Sequence, residues 1–122
     1  MWTETTIKAE QYTFKEPKFG ALQCRTVLEL GVKWLYNNDT EFTMPYDTNL
    51  SSLMHHHSFK NSVRPSMFTE LNLVRKIGNN AAHGKKVANR QSLATLKAIF
   101  SFCVYISKFY SEHDPKISVF EE

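Results

Sequence analysis

The residues with the greatest chemical potential lie in one short run, Arg75-Lys76-Ile77-Gly78-Asn79-Asn80-Ala81-Ala82-His83-Gly84. On a helix, residues four apart are offset by about 40° and one turn, so they are neighbours on one face. Arg75, Asn79 and His83 have that spacing and would form a slowly drifting polar line. Arg75 would be a fixed cation, Asn79 a hydrogen-bond donor, and His83 a ligand or general acid/base near neutral pH. Gly78, Ala81 and Ala82 leave room for a phosphate or a second helix to come close. Two readings follow. One is an anion or RNA-phosphate site. The other is a polar network at a helix end, in which Asn79 bonds a neighbouring helix and His83 meets the last carbonyls, where the helix dipole favours a cation.

The charges around this run are unevenly placed. Between Leu71 and Ser111 there is no Asp or Glu, yet the stretch carries Arg75, Lys76, Lys85, Lys86, Arg90, Lys97 and Lys108. Acids gather at the ends, as Glu4, Glu10 and Glu16, and as Glu112, Asp114, Glu121 and Glu122. The net charge of +3 hides this asymmetry. A basic face can meet phosphates or an acidic partner, whereas the alternative is a solvated helix surface neutralised by the acidic ends. The candidate phosphate or nucleic-acid contacts are Arg75, Lys76, Asn79, Asn80, His83, Lys85, Lys86 and Arg90.

Other chemistry-bearing groups read as structural. Glu29 stands four residues after Arg25 in an apolar stretch, and a lone buried acid there needs a partner. Arg25 is one candidate; Arg75 or His83 is another. Three consecutive helical residues point about 100° apart, so His55-His56-His57 cannot converge on one ion, and no metal site is expected. Cys24 and Cys103 sit in apolar stretches without His or Cys at ligand spacing and read as reduced core thiols.

Helices must position these groups. From Phe19 to Asn37 the apolar residues Leu22, Val27, Leu28, Leu30, Trp34 and Leu35 cover more than one face, as in a helix at the centre of a bundle. Asp47 or Thr48 can cap a short helix running to about His56, with Leu50, Leu53 and Met54 inward. Pro65 suits the first turn of a third helix whose stripe is Met67, Phe68, Leu71, Val74 and Ile77, with Gly84 as its stop. A last helix over about 89–111 carries the seam Leu93, Leu96, Phe100, Cys103, Ile106 and Tyr110. No segment alternates as a strand between hairpin turns. The pattern predicts an all-α fold, an antiparallel bundle of four to five helices, over residues 17–111. A polar arm or short helix would occupy 1–16 and an acidic tail 112–122.

The chain has 122 residues, 42% hydrophobic, which suits one globular domain. Nothing reaches the roughly 18 consecutive apolar residues of a membrane span. The N-terminus lacks a basic start followed by an apolar run, so a signal peptide is not expected and the cytoplasm is the default.

The segments ALQCRTVLELGVKWLYNND (21–39), MPYDTNLSSLMHHHSF (44–59), LVRKIGNNAAHG (73–84) and FSFCVYISKFY (100–110) occur in this order. Taken together the chain resembles the helical domain at the N-terminus of type I restriction enzyme R subunits and related DEAD/DEAH-box helicase proteins. That domain, of unknown function, is placed in the HEPN superfamily (higher eukaryotes and prokaryotes nucleotide-binding). The resemblance implies a HEPN-like bundle followed, past Glu122, by a nuclease and an ATP-driven translocase. ATP and Mg would serve only those further domains. This chain has no phosphate-binding Gly-rich loop with Lys-Ser/Thr, no DEAD or DEAH box and no paired-acid nuclease motif, so no cofactor is expected here.

HEPN ribonucleases place four to six residues between an Arg and a His. Here Arg75 precedes His83 with seven between, and Lys76, with six between, lacks the planar guanidinium fork. On an unbroken helix Arg75 and His83 stand about 12 Å apart along the axis. Three functions remain in view. The first is a non-catalytic accessory domain of an R subunit, which binds nucleic acid, DNA ahead of RNA, or other restriction-modification subunits. The second is a metal-independent ribonuclease, acting as a homodimer through His83 and Arg75. The third is a structural cap for a neighbouring domain.

Overall fold

The computed structural model describes residues 16–113, with side chains described through Lys108. The expected arm and acidic tail therefore lie outside the described residues, apart from Glu16 and the end of the last helix. The described chain is all-α, with helices α1 (Pro17–Asn38), α2 (Leu50–His55), α3 (His57–Lys60), α4 (Pro65–Ala82) and α5 (Asn89–His113). Pro17 and Pro65 each stand in the first turn of their helix, where a missing N–H costs no hydrogen bond.

The three long helices pack on one another. Contacts fix their directions. Arg25 meets Asn79 and Ala21 clusters with Ala81, so α1 and α4 are antiparallel. Cys24 lies beside Thr95 and Phe59 beside Phe102, so α5 runs alongside α1 in the same sense. Residues 39–64, including α2 and α3, close the end where α1 finishes and α4 begins. The Tyr36 hydroxyl ties this cap down by donating to the Leu53 carbonyl at 2.8 Å.

The main core gathers Val27, Leu28, Val32 and Leu35 from α1, Leu71 and Val74 from α4, and Ile99, Phe102 and Ile106 from α5. Leu53, Met54 and Phe59 complete it from the cap. A smaller cluster of Ala21, Ile77, Ala81 and Val87 fills the opposite end, where small side chains let the helices approach.

Two expectations are corrected. The cap of α2 is Asn49, whose side chain accepts from Ser52 N at 2.9 Å; Asp47 instead accepts from the Asn49 side chain. On α5, Phe100 is exposed while Ile99 and Phe102 are fully buried. The seam through Phe100 rests on spacing alone, whereas α5 lies against both α1 and α4 and buries a wider face, displaced from that residue.

Candidate functional site

Helix α4 runs without a break through Gly78 to Ala82. Gly78 is the point where α1 crosses α4. A Cβ there would lie 2.5 Å from the Arg25 Cβ, closer than two carbons can sit, so the absent side chain is what lets α1 reach α4. The close approach sets up a polar clasp. Arg25 Nε donates to Asn79 Oδ1 at 2.7 Å. Arg25 Nη1 stands 3.5 Å from Glu29 Oε1, and Lys33 Nζ is 3.0 Å from Glu29 Oε2. Lys33, Glu29 and Arg25 thus run down α1 at four-residue spacing and end on α4. Arg75 is not part of this chain. Its Nε and Nη2 both donate to Asn72 Oδ1, at 3.1 and 3.0 Å, within its own helix.

The helix ends in a tight reversal. The Lys85 N–H donates to the Asn80 carbonyl at 2.8 Å and the Gly84 N–H to the Ala81 carbonyl at 3.1 Å. This paired pattern satisfies the last carbonyls and needs a left-handed residue, supplied by Gly84 at φ +80°. The His83 ring therefore is not what satisfies these carbonyls; it is exposed, with no hydrogen-bond partner among the described residues. On the far side of the turn, the Ala88 N–H donates to Gln91 Oε1 at 2.8 Å, so the start of α5 is closed by its own side chain.

Arg75 apart, the candidate residues of the clasp and of the basic run fall into two groups. Arg25, Glu29 and Asn79 are joined in the clasp. Lys76, Asn80, His83, Lys85, Lys86 and Arg90 are exposed on and around the α4–α5 turn. Among the described residues none of Lys76, Lys85, Lys86 and Arg90 is in an ion pair. Lys33 and Asn72 were missed, although their four- and three-residue spacings from Glu29 and Arg75 were available as helix-neighbour signals.

Within the histidine tract, His56 serves as a helix cap. His56 Nδ1 accepts from Ser58 N at 3.2 Å and so starts α3, while His55 Nδ1 lies 2.8 Å from the Ser51 carbonyl. Both cysteines are buried and outside any disulfide. Burial pushes the Cys24 thiol up to about 11, against a smaller opposing effect of its hydrogen bond with Thr95. It is therefore neither ionised nor accessible at neutral pH, unlike a nucleophilic thiol.

These features define a small all-α domain of three long helices, with a polar clasp between α1 and α4 and a basic turn at one end. Residues 8–116 match DUF4145, a domain of unknown function, and the chain belongs to that family. No curated protein and no solved structure matches it. No helix among the described residues is long and apolar enough to cross a membrane.

Proposed function

We propose that this chain is a non-catalytic accessory domain that binds nucleic acid through backbone phosphates, in the cytoplasmic setting of a type I restriction R subunit or a related helicase protein. The HEPN-like kinship and that setting rest on the ordered segments of the sequence. The observation that carries the binding reading is the α4–α5 turn, where His83, Lys85, Lys86 and Arg90 are exposed and in no ion pair with a described acid, with exposed Lys76 about two turns back along α4. Solvated cations of this kind neutralise phosphates and release counterions, which binds duplex DNA without reading its bases. A ribonuclease draws no support from the same geometry. Unbroken α4 keeps Arg75 and His83 about 12 Å apart along its axis, and Asn72 engages the Arg75 guanidinium.

Fluorescence anisotropy with a labelled duplex tests this reading across a salt series. Affinity should fall steeply with salt, and the combined substitution Lys85→Ala, Lys86→Ala and Arg90→Ala should flatten the log–log slope by about 2 to 3. A variant that binds as tightly as the parent, with an unchanged slope, would remove this turn as the contact.

A further inference from the structure

At the other end of the bundle lies a groove that the phosphate reading does not use. Met67 is sixteen residues before His83 on the same helix, about 24 Å along its axis. The groove, of about 570 Å³, runs between the start of α4 and the outer face of α5, and is lined by Arg64, Met67, Phe100, Ser101, Val104, Tyr105 and Lys108. Two of its apolar side chains are unusually open: Phe100 is 44% and Val104 61% exposed. On α5 the residues Lys97, Ser101, Val104 and Lys108 follow one another at four- and three-residue spacing, so they form one stripe. An apolar centre thus has an exposed lysine at each end, about 16 Å apart, and Arg64 faces it from the start of α4. Among the described residues no acid lines the groove.

We propose that this groove docks an acidic amphipathic helix of a partner protein. Its apolar side chains would cover Met67, Phe100 and Val104, and its carboxylates would meet Arg64, Lys97 and Lys108. The spacing fits a helix of about three turns, whose apolar stripe can lie in a groove while flanking charges set its register. Charge selects this occupant over a second copy of the chain. A two-fold contact sets the same patch against itself, which would bring Lys97, Lys108 and Arg64 against their own equivalents. Apolar contact at the centre also separates this site from the phosphate-binding turn, which has no exposed large apolar side chain of its own.

The test uses the full chain and two labelled sixteen-residue helical peptides. Both carry Leu and Phe at three- and four-residue spacing; one is flanked by glutamates, its twin by lysines. Anisotropy titration should show the acidic peptide binding at least tenfold tighter than its twin. Val104→Glu should abolish binding with the helical circular dichroism unchanged, because Val104 is exposed. The paired reversal Lys97→Glu and Lys108→Glu should invert the preference between the peptides. Equal binding of the two peptides, no binding at millimolar concentration, or an unaltered affinity in Val104→Glu would overturn the proposal. So would a duplex DNA that displaces the acidic peptide in the Lys85→Ala, Lys86→Ala, Arg90→Ala background, or a concentration-dependent dimer that Val104→Glu dissolves.

Discussion

Arg25 Nε donates to Asn79 Oδ1 at 2.7 Å, joining two side chains 54 residues apart in the sequence. The bond couples the central helix to the segment that carries most of the polar chemistry. It also explains why a glycine precedes Asn79. With any side chain at position 78, Arg25 could not lie flat across α4. The asparagine, positioned by this crossing, accepts from a guanidinium already held on its other side by Glu29.

The clasp should show as coupling between the two helices. A hydrogen bond to a charged group that is only part-buried is worth about 1 kcal/mol net. Arg25→Ala and Asn79→Ala, combined in a double-mutant cycle by urea denaturation, should give a coupling of about 0.5–1.5 kcal/mol. Lys33→Ala should cost less than about 0.5 kcal/mol, because its pair with Glu29 is solvent-exposed. Strict additivity of the Arg25 and Asn79 changes would show that the bond does not hold the bundle together.

Gly78→Ala should destabilise the fold even though alanine is the better helix former by about 1 kcal/mol. The new methyl would meet the Arg25 Cβ and Cγ, near the root of that side chain, so the helices must separate. Overpacking of this kind costs about 1–3 kcal/mol in well-packed sites. Gly84→Ala should cost about 1 kcal/mol for a different reason: the space is open, and only the left-handed backbone opposes a side chain. Thermal melts of the two variants, and of Gly84→Asn as the milder replacement, would separate crowding from backbone strain.

His83→Ala discriminates among the proposed roles. The ring is exposed and the turn is closed by backbone hydrogen bonds, so stability should change by less than about 0.5 kcal/mol. Duplex affinity should fall modestly, because the exposed ring stands beside Lys85 in the basic turn and can donate to a phosphate. Purified parent and variant should show the same trace level of RNA cleavage. A several-degree loss in melting temperature with DNA affinity intact would favour the structural cap instead.

Stability should decline as the solution becomes alkaline. Cys24 has its thiol raised from 9.0 to about 11 by burial, so between those values the unfolded chain ionises and the folded chain does not. The unfolded state then binds fewer protons, and the unfolding free energy falls with rising pH, by on the order of 2 kcal/mol across that window. Tyr36 and Tyr105 are also raised, chiefly by burial, and add to the decline above about pH 10. Cys24→Ala should flatten the pH dependence near pH 9–10 in denaturant titrations. The folded protein should resist iodoacetamide at pH 7.5 at this position.

Much of the local structure was legible because it depends on near neighbours. Pro65 and Gly84 bracket α4 through backbone constraints that act within a few residues. The stripe from Leu71 to Ile77 identifies its buried face for the same reason. Reading failed where a choice had several local solutions. Asp47, Thr48 and Asn49 can all cap a helix, and the structure uses Asn49. Phe100 and Ile99 are both apolar, and only the placement of α5 between two helices decides which one is covered. The groove was invisible for the same reason, since Met67 and Val104 meet only after α4 and α5 have packed.

Composition and periodicity by themselves determined that this chain is helical, where its long helices run, and that its cations concentrate between residues 71 and 111. Those properties follow from hydrophobic spacing and from charge, which are local and additive along the chain. Tertiary structure alone decided that Arg25 rather than Arg75 reaches Asn79, that Gly78 admits a second helix rather than a phosphate, and that His83 faces solvent. Each of these depends on the angle and depth at which α1 meets α4. That geometry is set by the packing of the whole core, not by any residue's own neighbours.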